Sequence, residues 1–296
     1  MQSNEPSQSV QPIIGDHRAW PARTRASHVP YGVSLNAGEL LTRSWTMWKD
    51  DAARLTGITA IPYALMMGLV VIGAVGAVVS GFDVDHLEDS GPFIGLAIGG
   101  GIGFFISVML LFVAAAAGSF LVVEERLRGE SKGLTAVGAI LAGLSSLGRL
   151  MAAYLVVGGG MTVLMAPVAA LGFYAMYAES FAAGGAAVAL LFPVCIVAFV
   201  ASLRLFAAGP IVVVEDVGAI EGLRRSWAMT RGNFGDIFVA FLVFGAIMMG
   251  INIGTSILGI IPIVGMFVQL AAGVVMGSLQ SVYMFLMYAA LRDKQG

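Results

Sequence analysis

Cysteine, histidine and charged residues are all scarce in this sequence, and each scarcity excludes a class of function. One cysteine, Cys195, and three histidines leave no basis for a disulfide framework or a cysteine-based zinc site. Charged residues make up 11% of the chain, whereas soluble domains carry about 25%. So few charges could not cover a globule of 296 residues with a solvated surface. The composition therefore argues against a soluble enzyme.

Recognisable motifs of chemistry are missing as well. The sequence has no His-Glu-x-x-His metal site, no Gly-x-Ser-x-Gly nucleophile elbow and no phosphate-binding loop. A net charge of −2 offers no broad basic face for nucleic acid. We therefore expect no enzyme activity, no catalytic residue, no metal, no cofactor and no nucleic-acid partner.

Apolar residues and glycine are abundant instead. Hydrophobic residues make up 58% of the chain, the mean hydropathy is +0.89 and glycine accounts for 39 residues. The ranges without Asp, Glu, Lys or Arg are 55–82, 90–123, 150–178, 180–203 and 237–291. About 20 apolar residues in a helix cross a bilayer, so the last range fits two spans. The sequence predicts an all-α, polytopic integral membrane bundle with six spans, at 57–80, 94–120, 152–177, 186–208, 237–260 and 266–290.

The positions of Lys and Arg predict the orientation of these spans. Of the 16, 15 lie before span one, between spans two and three, between spans four and five, or after span six, and Arg204 lies near the end of span four on the same side. The opposite loops, 81–93, 178–185 and 261–265, hold none. Basic loops stay in the cytoplasm, so we expect both termini there, in a bacterial inner membrane. Residues 1–33 are predicted to be a disordered cytoplasmic tail, and 34–292 the membrane domain.

Three cytoplasmic segments are predicted to be amphipathic helices that lie in the membrane interface. The first covers 34–54, where Asn36 can cap the helix with Glu39 three residues later. The others cover 132–148 and 218–234. Their apolar stripes, with Trp45, Trp48 and Trp227 as interfacial anchors, are flanked by basic residues. The stripe residues are Leu41, Ser44, Trp45, Trp48 and Ala52; Leu134, Val137, Leu141 and Leu144; and Ile220, Leu223, Trp227 and Phe234.

The first and third of these segments resemble each other at an offset of 182. Six identities, from Glu39 to Met47 and from Glu221 to Met229, fall within nine positions. Each segment precedes a pair of spans. We therefore expect a threefold parallel repeat with units at approximately 34–126, 127–214 and 215–292. In the middle segment, glycines at 133, 138, 143 and 148 form no helical face and are expected only to weaken the helix.

A family resemblance rests on the residues around the third segment. They are Arg204-Leu205-Phe206, then Pro210-Ile211-Val212-Val213-Val214-Glu215, then Leu223-Arg224-Arg225-Ser226-Trp227-Ala228-Met229-Thr230-Arg231-Gly232-Asn233-Phe234. This pattern resembles the membrane domain family associated with glycerophosphodiester phosphodiesterases, in its stand-alone six-span form. The resemblance covers roughly 34–292. It implies a membrane module without an established role, and we expect the catalytic barrel domain to be absent.

Five arginines are the candidate binding residues. At the cytoplasmic headgroup level they could contact lipid phosphates. The alternative is generic anchoring, in which guanidinium groups reach the phosphate layer without specificity. These residues are Arg43, Arg204, Arg224, Arg225 and Arg231.

Glycines spaced four apart predict close helix packing within the bundle, or alternatively a homodimer seam. They are Gly95, Gly99 and Gly103 in span two, Gly250 and Gly254 in span five, and Gly273 and Gly277 in span six.

Two hypotheses of function follow from the sequence. The first is a non-enzymatic membrane module that engages lipids or scaffolds partners, either in a homo-oligomer or with another membrane protein. The alternative is a transporter or flippase for a small or lipid-like substrate. Pro167 and Pro193, which can kink spans three and four, favour the alternative, and the lack of charge inside the spans disfavours proton coupling. Polar span residues such as Asn252, Gln269 and Gln280 could line a path or bond neighbouring helices.

Overall fold

A computed structural model describes residues 30–79, 91–129, 133–259 and 262–295, and every regular element within these ranges is a helix. The predicted all-α fold class is confirmed. The ten helices are α1 (Ala37–Asp50), α2 (Ala52–Val79), α3 (Gly91–Leu127), α4 (Ala136–Leu144), α5 (Leu147–Tyr177), α6 (Phe181–Leu205), α7 (Ala208–Val214), α8 (Ala219–Met229), α9 (Phe234–Leu258) and α10 (Pro262–Asp293).

Five segments of the described chain are long and apolar enough to cross a membrane, and they correspond to predicted spans two to six. They are Gly103–Leu127, Leu147–Tyr177, Phe181–Val214, Phe234–Leu258 and Phe267–Asp293. Residues 57–79 of the predicted first span lie within α2, which begins earlier at Ala52 and is not among these five segments; residue 80 lies outside the described ranges. The acidic loop predicted between spans one and two also lies largely outside them. These apolar runs form long helices because a helix pairs the backbone amides and carbonyls of the run with one another.

A short helix precedes each pair of long helices, at the three places where the sequence predicts interfacial segments. The Asn36 Oδ1 atom caps α1 by accepting hydrogen bonds from the amides of Gly38 at 3.0 Å and Glu39 at 3.3 Å. Thr135 caps α4 by accepting from the Gly138 amide at 3.1 Å. These bonds satisfy amides that the first turn of a helix leaves free, so the helices begin where the capping signals lie.

The short helices pack in cyclic order, each against the hairpin before its own. Helix α4 packs on α2 and α3, and α8 packs on α5 and α6. Helix α1 precedes the first hairpin, and it closes the ring by packing on α9 and α10. The two serines that align at the offset of 182, Ser44 and Ser226, are both fully buried in these contacts. This arrangement is consistent with a threefold parallel repeat.

Two glycines allow the backbones of α3 and α4 to touch. A Cβ atom at Gly143 would lie 2.2 Å from the Ala114 carbonyl oxygen, and one at Gly118 would lie 2.5 Å from the Ala139 carbonyl oxygen. Both obstacles are backbone atoms, so neither could move aside cheaply. The expectation that the glycines of this segment only weaken the helix is therefore wrong for Gly143.

The predicted fourth span is not one continuous helix, because it is interrupted near its end. Helix α6 ends at Leu205, and α7 follows as a separate, fully buried turn. Pro210 causes the break, because it lacks the amide that would bond the Phe206 carbonyl and its ring collides with that carbonyl. Within the first turn of α7 the missing amide costs nothing. The break directs α7 beneath α8, where a Cβ at Gly222 would meet the Val212 side chain at 2.4 Å.

The segment before α1 is packed, which corrects the boundary of the predicted tail. Residues 1–29 lie outside the described ranges, but Tyr31 and Val33 are buried. Their amides donate to the two carboxylate oxygens of Asp293, at 2.8 and 3.1 Å. The Arg292 guanidinium lies 5.4 Å from the centre of the Tyr31 ring and donates to its hydroxyl at 3.0 Å. The packed part of the chain therefore begins by Tyr31 and not at residue 34.

Candidate functional site

The predicted apolar stripes of the short helices face outward only in part, because Ser44 is fully buried and Trp48 and Leu223 face other parts of the protein. Six large side chains of these stripes are between 41% and 65% exposed: Trp45 on α1, Val137, Leu141 and Leu144 on α4, and Ile220 and Trp227 on α8. The buried faces combine small residues with larger apolar ones, namely Ser44 with Leu40, Gly143 with Ala139 and Ile140, and Gly222 with Ser226 and Met229. A helix that packs by one face and exposes large apolar side chains on another is suited to lie between protein and lipid.

Arg225 is held by two carboxylates. Its Nη1 atom donates to Glu215 Oε2 at 2.6 Å, and its Nε atom donates to Glu221 Oε1 at 2.8 Å. The hydrogen bond to Glu221, followed by the one to Glu215, raises the pKa of the Arg225 guanidinium. The same bond from Arg225 lowers the pKa of Glu221. Arg225 is therefore largely committed to internal partners and is a poor candidate for a lipid phosphate.

Two further predicted arginines also have internal partners. Arg224 pairs with Glu221 at 2.7 Å, although its side chain is 78% exposed. Arg43 donates to the carbonyl oxygens of Gly32 at 2.6 Å and Tyr31 at 3.3 Å, which ties α1 to the packed segment before it. The contacts of Arg43 are structural.

Arg204 and Arg231 have no carboxylate within 4.0 Å among the residues that the structure describes. The Arg204 guanidinium lies between two aromatic rings, 4.9 Å from the centre of Trp227 and 5.8 Å from the centre of Phe234. Cation–π contacts of this kind hold a guanidinium in place without neutralising its charge. Arg231 is exposed beyond the end of α8. Of the five arginines, Arg204 is positioned by the fold and has no carboxylate partner among the described residues.

Three glutamates at the same end of the bundle were not predicted as site residues. Glu124 and Glu125 are buried, and Glu215 accepts a hydrogen bond from the fully buried Tyr288 hydroxyl at 2.8 Å. Glu125 lies 3.6 Å from an Arg54 nitrogen and accepts from the Gly133 amide at 3.1 Å. The sequence did contain a signal for these glutamates, because each lies at the end of an apolar run. A carboxylate at such a position lies in the packed end of the bundle.

The three predicted tryptophan anchors have different surroundings. The Trp48 Nε1 atom donates to the Ser278 hydroxyl at 2.8 Å, so this ring docks α1 on α10. Trp45 stacks on Trp48 with ring centres 5.1 Å apart and is 45% exposed. Trp227 is 41% exposed and covers Arg204. Trp45 and Trp227 remain available to the interface, whereas Trp48 is mainly a packing residue.

The predicted glycine faces are used unevenly. A Cβ at Gly273 would lie 3.3 Å from the Tyr63 hydroxyl, and one at Gly277 would lie 3.2 Å from Thr59 Cγ2, so α10 and α2 approach closely there. Gly103, Gly250 and Gly254 have no described atom within 4 Å of such a Cβ. The surroundings of Gly95 and Gly99 in α3 lie outside what the structure describes.

A cavity of about 410 Å³ lies between the three hairpins, at the end of the bundle where the short helices pack. Its walls come from α2, α3, α5, α6, α7, α8 and α10. Its apolar lining includes Pro62, Phe112, Phe120, Leu150, Phe206 and Met284. No lining residue in the described chain is Asp, Glu, Lys, Arg or His. The cavity therefore suits an uncharged, mainly apolar group.

Seven side chains give the cavity its polar character. Four are hydroxyls that donate to carbonyls of their own helices at 2.9–3.1 Å: Thr59, Ser119, Ser202 and Ser281. The others are Tyr63, Tyr154 and Gln280, which have no hydrogen-bond partner in the described part of the chain. Of the other polar span residues, Asn252 and Gln269 lie outside the lining. In the described ranges, no group of three or more His, Cys, Asp or Glu residues could hold a metal ion.

Comparison with known proteins gives one match. A family model described as a domain of unknown function (DUF7847) matches residues 134–291, from the segment before α4 to the last turn of α10. No curated protein and no solved structure matches the chain. The resemblance to the phosphodiesterase-associated membrane domain thus stays a prediction. Because the match covers more than half of the sequence, the chain belongs to the DUF7847 family.

Proposed function

We propose that this protein is a non-enzymatic, multi-pass protein of the bacterial inner membrane that binds a lipid at its cytoplasmic side. The outer surfaces of α5 and α6 support membrane insertion, because Val163, Phe173 and Phe192 are more than 70% exposed. Such side chains would be unfavourable in water and cost nothing in hydrocarbon. The basic segments at the short helices support a cytoplasmic location for that end of the bundle and for both termini.

The single observation that carries lipid binding is a cavity without charged lining residues next to an arginine without a carboxylate partner, both within the described part of the chain. Ser202 and Leu205 line the cavity from the last turn of α6, and Arg204 belongs to the same turn. Leu223 lines it from α8, one turn before the tryptophan that covers Arg204. An apolar chain in the cavity would leave a phosphate at the surface, where the Arg204 guanidinium can bind it. The exposed stripes of α4 and α8 flank this position.

Native mass spectrometry of protein released from its own membrane without delipidation tests the proposal. We expect one phospholipid to be retained at fixed stoichiometry, and Arg204→Gln to reduce its occupancy severalfold. Arg224→Gln is the matched control, because it removes the same charge from an exposed residue of the same surface. A bare mass, or an oligomer without lipid, would contradict lipid binding and favour a scaffold. Equal occupancy in the two variants would remove Arg204 from the site.

Transport of a lipid-like substrate is a second candidate, favoured by the contribution of all three hairpins to one cavity. Pro62, Pro167 and Pro193 lie inside α2, α5 and α6, where proline can bend a helix. Cysteine placed at Gln280, in a Cys195→Ser background, should then react with polar thiol reagents from both sides of the membrane in turn. Cysteine at Asn252, which is exposed on α9 outside the cavity, is the control. Reaction at Gln280 from the cytoplasmic side alone would argue for a static binding site.

A further inference from the structure

We infer that the cavity selects the ester-linked glycerol region of a diacyl lipid, because its free hydrogen-bond donors match ester carbonyl oxygens. This inference rests on the proposed lipid binding and specifies which part of the lipid the cavity recognises. It depends on a distinction between polar groups that are already bonded and those that are not.

The four serine and threonine hydroxyls of the lining have little left to donate. Each gives its proton to a carbonyl four residues earlier in its own helix, as Ser119 does to Ala115 and Ser281 does to Gly277. A hydroxyl has one proton, so toward the cavity these groups can only accept. They lower the cost of a polar ligand without binding a carbonyl themselves.

The donors that remain are the Gln280 amide and the hydroxyls of Tyr154 and Tyr63. Gln280 lies on α10, Tyr154 on α5 and Tyr63 on α2, so the three hairpins provide one each. None has a hydrogen-bond partner in the described part of the chain, and Tyr154 is 46% exposed. A ligand with several acceptors close together and no charge would satisfy them.

The chemistry of the walls narrows the ligand further. A phosphate inside the cavity would be desolvated with no described cation among the lining residues. A hydrocarbon alone would leave the amide and the hydroxyls unbonded, which is also unfavourable. A glycerol backbone with two ester carbonyls has uncharged acceptors between apolar chains on one side and a phosphate on the other. Its acceptors can meet the three donors while its phosphate lies toward Arg204.

Competition between ester and ether lipids tests this inference. Delipidated protein in detergent receives equal amounts of dioleoyl phosphatidylglycerol and its dioleyl ether analogue, which share a headgroup and chain length but differ in the two carbonyls. Native mass spectrometry then measures the occupancy of each. We expect the ester lipid to be preferred by about threefold to tenfold, the ratio expected for one hydrogen bond of ordinary strength.

Gln280→Leu and Tyr154→Phe identify the donors, since each removes hydrogen-bonding capacity at little change in volume. We expect at least one to abolish the preference, whereas Gln269→Leu, on the same helix but outside the lining, should keep it. Equal binding of both lipids by the unaltered protein would overturn the inference and leave lipid binding intact. A preference that survives both cavity substitutions would overturn it as well. Binding of neither lipid would overturn the proposed function itself.

Discussion

The hydroxyl of Tyr288 donates to one carboxylate oxygen of Glu215 at 2.8 Å, while Arg225 donates to the other oxygen at 2.6 Å. Glu215 directly follows α7. Its carboxylate therefore connects the last turns of α10 to α8. Tyr288 is fully buried, so its hydroxyl has no access to water as an alternative partner. Glu215 thus ties the start of the third unit to the last helix of that unit.

Replacement of Glu215 by alanine should destabilise the protein. The buried Tyr288 hydroxyl would lose its acceptor, and an unsatisfied buried polar group costs about 1–3 kcal/mol. Thermal unfolding in detergent, followed by tryptophan fluorescence, measures the loss. Glu221→Ala is the control, because it removes the other carboxylate of Arg225 at a partly exposed position and should cost less. An equal loss in the two variants would show that Tyr288 gains nothing from Glu215.

Gly143→Ala should also destabilise the protein, although alanine is the better helix former. The added methyl group would meet the Ala114 carbonyl oxygen, and overpacking of this kind costs about 1–3 kcal/mol. Gly148→Ala, from the same series of glycines, has no described atom within 4 Å of the new methyl and should be neutral or stabilising by up to about 1 kcal/mol. Unfolding temperatures compared between the two variants check this. A neutral Gly143→Ala would mean that α3 and α4 do not touch there.

Trp48→Phe should loosen the attachment of α1. The substitution keeps an aromatic ring but removes the hydrogen bond to the buried Ser278 hydroxyl, which contributes about 0.5–1.5 kcal/mol. Hydrogen exchange of the α1 amides should become faster, whereas exchange in α9 should change little. Trp45→Phe alters an exposed ring and should leave the α1 amides as protected as before. Unchanged protection in Trp48→Phe would argue against this docking contact.

The proposed orientation predicts which residues react with a membrane-impermeant thiol reagent. In a Cys195→Ser background, cysteine at Thr46 on α1 should react only after the inner membrane is opened. Cysteine at Ala178, in the turn between α5 and α6, should react in intact spheroplasts. Both positions are exposed, so access and not burial decides the result. The reverse pattern would invert the topology.

Local signals in the sequence predict most of the helices but not how they pack. The Asn36 cap and the charge-free runs each act within a few residues, so their helices are found close to where the sequence places them. The break before α7 could also have been predicted from the sequence, because Pro210 acts on the carbonyl of the residue four positions earlier. The exposure of large stripe residues such as Trp45 and Trp227 could not be predicted from the sequence. It depends on how Ser44, Ser226 and Gly143 pack against other helices.

The candidate site was predicted in part, for the same reason. The sequence singles out Arg204 and Arg225 equally, since both are basic residues beside an apolar segment. Only the fold shows that Arg225 meets Glu215, ten residues earlier, while Arg204 meets aromatic rings. The cavity has no local signal at all, because its lining is drawn from helices of all three hairpins.

Because α1 closes the ring, its packing can be completed only at the end of the protein's synthesis. Helix α1 precedes every span along the chain, yet its packing partners, α9 and α10, are made last. Until they are inserted, α1 lacks most of the protein surface that covers its buried face. Its exposed Trp45 and neighbouring Lys49 would allow α1 to bind the membrane surface during that time. The amphipathic character of α1 would therefore let this helix bind the membrane surface both before and after α9 and α10 are made.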